Sequence, residues 1–490
     1  MTRTVTNKVA ILILPVFLGG CAATAKEGVY SNAFAGFSSV QATTQAASGK
    51  QSVWIQDRQT AETVARQVRD MVHNKTINAD TAVQVALLNN KGLQAAYADL
   101  GLSATEVWQE SMFENPVASI GVLGIGTPEL EAFRAVEGMI VNNIFALITR
   151  GRRIDLAETE FREAQLNAAL ATLSLAAETR RAWIEAAAAW ERVGYLNQSK
   201  AAADAASELA ARLGDSGALS KSGQAREHVF YAELAGQTAQ ARMEARQAKE
   251  RLSRLMGLWG DDLEYEVPNR LPDLPGSLPE KSTIEADALR HRADLQVASI
   301  ELEAMAKQYG LTEATRYVTD LGLVAGFETE REIEDGEEEV STSGQAEIEF
   351  VIPIFDTGKA RKRQAELNYM RAANLLAEKA VNVRSEARAA YDAYRSSYDI
   401  ARHYRNNVLP LRTTIEEESL LTYNGMITST FELLADTRAK INSIMLSLDA
   451  KRAFWLAEAN LAPTVYGGGS AMAAGAGGGE AAEAEGGGGH

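Results

Sequence analysis

Cys21 is the only cysteine in the chain, so no disulfide can form within it. Its five histidines, His73, His228, His291, His403 and His490, stand singly, without the spacing of a metal site. Aromatic residues make up only 7%, which argues against a bulky globular core. No apolar run reaches the roughly 20 residues that a membrane-spanning helix needs. With a net charge of −16 the chain lacks the basic excess that nucleic acid requires. No nucleophile–base set, phosphate-binding loop or ligand cluster stands out. No catalytic residue, cofactor or metal site is therefore expected.

Alanine, by contrast, is abundant. Eleven of the 27 residues from Ala164 to Trp190 are alanine, and side chains this small let helices approach closely. The overall balance, 46% hydrophobic and 23% charged over 490 residues, is that of a folded protein.

Residues 1–20 read as a secretory signal. Arg3 and Lys8 supply positive charge, Val9–Leu18 is a short apolar run, and Gly19 and Gly20 follow. Leu18-Gly19-Gly20-Cys21 resembles a bacterial lipobox, which makes Cys21 the expected lipidation site and new N-terminus. An ordinary signal with an incidental cysteine is the alternative. One lipid alone anchors weakly. Residues 21–62 then form a lipidated linker.

The chain is written twice. Ala86–Leu100 aligns without gaps on Ala288–Leu302, at an offset of 288 − 86 = 202. Thr149-Arg150-Gly151 and Asp356-Thr357-Gly358 keep nearly the same spacing, since 358 − 151 = 207. These landmarks define a first repeat at 63–266 and a second at 283–462. The connector 267–282 holds four of the ten prolines, and 463–490 is a Gly/Ala/Glu tail too apolar-poor to fold.

Each repeat breaks its helical pattern once. Tyr317–Phe327 and Ala346–Ile354 alternate with period two, flanking a glutamate-rich stretch, Thr329–Ser343, expected as an exposed loop. Val117–Gly126 and Glu137–Ile148 form a weaker pair. The expected hairpins lie at about 116–148 and 316–355, with strands of membrane length. A soluble hairpin packed on the helices is the alternative. Four strands cannot close a barrel, whereas three copies would supply 12.

Long helices follow each hairpin. One runs from Gly151 to about Leu213, roughly 95 Å at 1.5 Å per residue. The other runs from Gly358 to about Leu421, with a kink or local unwinding expected at Pro410. Their tips are Leu213-Gly214-Asp215-Ser216-Gly217 and Thr422-Tyr423-Asn424-Gly425. Asp215, Glu432 and Asp436 are acids at or near these turns.

Several motifs in combination resemble those of the TolC family of outer-membrane efflux proteins, in its lipoprotein form. Val351-Ile352-Pro353-Ile354-Phe355-Asp356-Thr357-Gly358-Lys359 is similar to the family's strand-to-helix signature. Glu114-Asn115-Pro116 is similar to its helix-to-strand signature, Arg292-Ala293-Asp294-Leu295 to the opening of its second repeat, and Tyr423-Asn424-Gly425 to its tip turn. The resemblance covers about 63–462. It implies a mainly α fold with a β membrane portion. Two repeats of helix, β-hairpin, long helix and helix would form, in a homotrimer, a 12-stranded barrel and a periplasmic α-helical barrel. It further implies a passive exit duct for small molecules or metal ions in the Gram-negative outer membrane. An acidic constriction at the tip turns is implied too, with Asp215, Glu432 and Asp436 as candidates. An inner-membrane pump of the RND type would drive transport through a periplasmic adaptor (membrane fusion) protein, and outer-membrane lipid would hold the channel. A protein-secretion channel and a periplasmic coiled-coil lipoprotein are the competing readings.

Overall fold

The computed structural model describes residues 27–125, 134–217, 219–280, 283–334, 337–425 and 427–469. Cys21 and the tail beyond Gly469 lie outside them.

The chain opens with helices α1 (Glu27–Tyr30), α2 (Phe37–Ser48), α3 (Arg58–Val72), α4 (Ala79–Asn89) and α5 (Lys91–Ser111). Strands β1 (Val117–Leu123) and β2 (Ala135–Asn143) follow, then α6 (Ile144–Asp215) and α7 (Lys221–Met256). The same order returns as α8 (Ile284–His291), α9 (Ala293–Ala314), β3 (Leu321–Glu334), β4 (Glu337–Phe350), α10 (Lys359–His403), α11 (Leu409–Asn424) and α12 (Thr430–Ala459), closed by α13 (Leu461–Tyr466), so 463–466 of the tail expected not to fold is helical. The α4/α5 break falls at Asn90 and the α8/α9 break at Arg292, and 292 − 90 reproduces the offset of 202 read from sequence. Both break residues are extended, and each donates its N–H to the carbonyl four residues back.

The described residues fall into two compact units. The first comprises Asp99–Ala164 and Ile300–Asn374 with the described part of Met1–Gly36. It contains one antiparallel sheet of order β1-β2-β3-β4. Lys307 on α9 ties to α6 through Asp155 at 3.0 Å and Thr159 at 2.7 Å. Arg162 meets Glu303 at 2.6 Å across the same seam.

The second unit comprises Phe37–Ala98, Gln165–Ser299 and the described part of Leu375–His490. Its main core packs α3 and α4 on α6 and α7. Val64, Val68 and Val72 recur every four residues, so α3 buries a single face. Each of these valines contributes about 1.5–3 kcal/mol by leaving water. Trp183 on α6 donates to the Ile77 carbonyl at 2.9 Å, which satisfies the one polar atom of a buried ring. A Schellman turn ends α7, with Gly257 at φ +66 and Leu258 N–H bonded to Ser253 O at 3.0 Å. A Cβ on Gly257 would lie 2.9 Å from the Asn89 carbonyl.

Several sequence expectations shift. The acidic stretch expected as a loop from Thr329 to Ser343 is strand through Glu334 and again from Glu337. Backbone ladder bonds are indifferent to side-chain charge when the side chains stand in water. The strand expected through Ile148 stops at Asn143, because the Asn143 side chain accepts from the Ala146 N–H at 3.0 Å and caps α6 seven residues early. Residues 37–54 are not a bare linker: Phe37 lies against Tyr97 and Trp54, with ring centroids 4.9 and 5.7 Å away. Near Pro410 the helix unwinds as a π-turn at Tyr404–Val408, and the proline then starts α11, where its missing N–H costs nothing.

Candidate functional site

Backbone pairing assigns every strand residue to one face of the sheet. Ile120 pairs with Gly138, Gly138 with Phe327 and Phe327 with Gly344. Extending this row by twos collects Ala118, Ile120 and Val122 on β1, Val136 and Ile140 on β2, Leu323, Ala325 and Phe327 on β3, and Ala346, Ile348 and Phe350 on β4. That face is a continuous apolar band. Most of its large side chains are exposed in the isolated chain. The opposite face carries Glu137, Glu328, Glu330, Glu347 and Glu349, with Glu137 directly opposite Glu328. Small residues line it too, and a Cβ on Gly121 would lie 2.5 Å from the Glu137 carboxylate. One face therefore suits hydrocarbon and the other an aqueous, cation-favouring surface.

The strand-to-helix signature is a rigid turn. Asp356 accepts from the Gly358 N–H at 2.8 Å, and Arg316 donates to the Thr357 carbonyl at 3.0 Å. Gly358 has φ +69, and a Cβ there would lie 2.8 Å from the Arg316 carbonyl. Pro353 precedes this turn, and Phe355 projects from it with 100% exposure. In the first repeat Glu114 fastens the corresponding junction, accepting from Asn143 at 3.1 Å and facing Arg153 at 3.4 Å.

The tip turns lie in the second unit. Gly217 takes φ +78 and donates to the Gly214 carbonyl at 3.0 Å. The Gln224 side chain fills the space where a Gly214 side chain would stand. Gly425 keeps φ −76, so the second reversal does not use the left-handed freedom of glycine. Asn424 ends α11.

The three acidic candidates have separate roles here. Asp215 ends α6 and is exposed. Glu432 is exposed in the first turn of α12, where its N–H is capped by Ser429 at 3.3 Å. Asp436 is half-buried and accepts a hydrogen bond from Ser419 on the neighbouring α11. Among the described residues no hydrogen bond or ion pair joins the three.

A contact that sequence reading missed ties the two tips together. Arg438 on α12 reaches Glu227 on α7 at 3.3 Å and the Arg226 carbonyl at 3.2 Å, and its guanidinium lies 4.3 Å above the Phe230 ring. Glu227 is only 4% exposed. Lys440 pairs with Glu416 within the second tip. The Tyr195 hydroxyl is pushed above its ordinary value by burial, with Glu416 adding to the shift. The Arg438–Glu227 contact spans 211 residues and leaves no local signal.

Among the described residues no group of three or more His, Cys, Asp or Glu side chains can hold a metal ion, and no helix is long and apolar enough to cross a membrane.

The arrangement is shared with solved channels. The outer-membrane channel OprN superposes with a TM-score of 0.66 at 18% identity, covering 86% of this chain and 93% of its own. The outer membrane protein VceC of Vibrio cholerae gives 0.65 at 15%, covering 80% and 96%. The CmeC outer membrane channel of Campylobacter jejuni gives 0.61 at 16%, covering 82% and 87%. No curated protein sequence matches. The fold is that of the TolC-type outer-membrane channels. Residues 286–430, within the second repeat, match the family model described as outer membrane efflux protein.

Proposed function

We propose that this chain is the outer-membrane channel subunit of a tripartite efflux system. One observation carries the proposal: a four-stranded sheet with an apolar face, an acidic face and two unpaired edges. Unpaired edges are untenable in hydrocarbon, so the sheet must close with further copies. Three copies give 12 strands, apolar outside and acidic within. The helices extend into the periplasm, and their tips form the gate. Asp215 and Glu432 supply its exposed carboxylates, and Asp436 and the Arg438–Glu227 contact hold it shut. The work is conduction and not bond chemistry. The driving pump of the inner membrane, of the RND type, and a periplasmic adaptor dock at the tip side. Lipid on Cys21 supplements the barrel as an anchor. Small molecules or metal ions are the cargo.

Reconstitution into planar bilayers tests this reading. Stepwise, cation-preferring conductance is expected. Well-folded oligomers that never conduct would reject it. Mass spectrometry of the purified chain, with Cys21→Ala as control, tests the lipid.

A further inference from the structure

Resting on the closed-barrel reading, we infer that the two junctions flanking the sheet edges form an apolar clasp between copies of this chain. Val117 on edge strand β1 pairs with Val141, Val141 with Val324, and Val324 with Glu347 on edge strand β4. This row marks one level across the sheet. On its helix-facing side β4 continues to Phe350 and then to Val351, Ile352, Ile354 and Phe355. On the same side the chain before β1 runs back through Pro116 to Phe113 and Met112. β1 starts at the end of the sheet where β4 finishes. Setting the β4 edge of one copy antiparallel to the β1 edge of the next therefore brings the two apolar groups to the same end of the seam.

All seven of these large apolar residues are exposed in the isolated chain, and Phe355 is 100% exposed. The exposed groups sit on hydrogen-bonded backbone. Asp356 and Gly358 close the turn behind Phe355, and the Ile354 N–H bonds to the Ile352 carbonyl at 2.9 Å. Phe113 is held as well, under the Arg150 guanidinium at 4.6 Å. Exposed aromatic side chains on a hydrogen-bonded turn are typical anchors of protein interfaces. Charges flank both groups: Arg150 lies over Phe113 with Glu114 next in the chain, and Asp356 follows Phe355. They also disfavour lipid as the occupant. Insertion of Phe355 into hydrocarbon would draw exposed Asp356 and Arg361, 3.9 Å apart, out of water.

Two differently tagged chains, one Phe113→Cys and one Phe355→Cys, should be co-expressed, purified as oligomers and treated with a flexible bis-maleimide. A mixed product carrying both tags is expected, with none from unsubstituted chains. Phe355→Asp should raise the fraction of dissociated chains roughly tenfold, and Phe355→Leu should restore assembly. Conducting oligomers that give no mixed product overturn the clasp and leave the channel reading standing. Chains that neither assemble nor conduct overturn the channel reading, and the clasp with it.

Discussion

Arg438 and Glu227 lie 211 residues apart, yet they meet at 3.3 Å, with the carboxylate almost wholly withdrawn from water. Their contact fastens the return helix of the second repeat to the return helix of the first. Arg438→Ala would strand a buried carboxylate, at a cost of roughly 1–3 kcal/mol. Single-channel recording should show several-fold higher open probability for Arg438→Ala. The double variant with Glu227→Ala should open no more than the single one, because the two residues act as one unit. Unchanged gating in Arg438→Ala would remove this contact from the gate.

The acidic face makes a second prediction. Glu137 and Glu328 stand opposite each other, so each copy contributes two carboxylates at one level. Replacing both with glutamine should lower cation-over-anion selectivity. Reversal potentials in a salt gradient would measure it, and unaltered potentials would place these side chains away from the conducting path.

Gly358→Ala should destabilise assembly more than an alanine at most helical sites. At φ +69 a side chain costs roughly 1–2 kcal/mol, and the Arg316 carbonyl 2.8 Å from its Cβ adds a clash. The yield of folded protein and its thermal midpoint report the loss. Gly425→Ala, at φ −76, is the matched control and should be nearly silent.

Tyr265 contributes to the alkaline limit of stability. Burial pushes its hydroxyl from 10.0 to about 12, although Ser253 hydrogen-bonds it at 2.8 Å. The folded value lies above the unfolded one, so this contribution is whole below pH 10 and is lost as pH rises toward 12. At most about 3 kcal/mol is involved. Denaturant midpoints at pH 8 and pH 11 should differ less in Tyr265→Phe than in the natural chain. That variant should also lose about 1 kcal/mol at pH 8 with its hydrogen bond. An equal alkaline drop in both would assign the effect to another group.

At the acid end, the Glu303 carboxyl is held below its usual range by its hydrogen bond to Arg162, then by that to Lys307. The folded value is depressed, so the α6–α9 tie is present above the ordinary carboxylate range and is lost as pH falls through the folded value. Glu303→Gln should flatten this acid limb in the same denaturant titration. Because Glu303 is exposed, the effect should be small.

The sequence by itself determined what local chemistry can encode. Period-two alternation marked the strands, and proline and glycine marked the turns. The 202-residue offset marked two repeats, and the helix breaks at Asn90 and Arg292 keep that offset. Tertiary structure decided the rest. Which glutamates share a face with Glu137 depends on registers between strands about 190 residues apart. Asp436 is a candidate for the acidic constriction by sequence, and pairing of α11 with α12 sets Ser419 against it. Arg438 meets Glu227 through the packing of α12 near α7, which no local pattern encodes. A helix or a turn is specified by neighbours a few residues away. A contact across 211 residues exists only after chain entropy has been overcome by the packing of everything between.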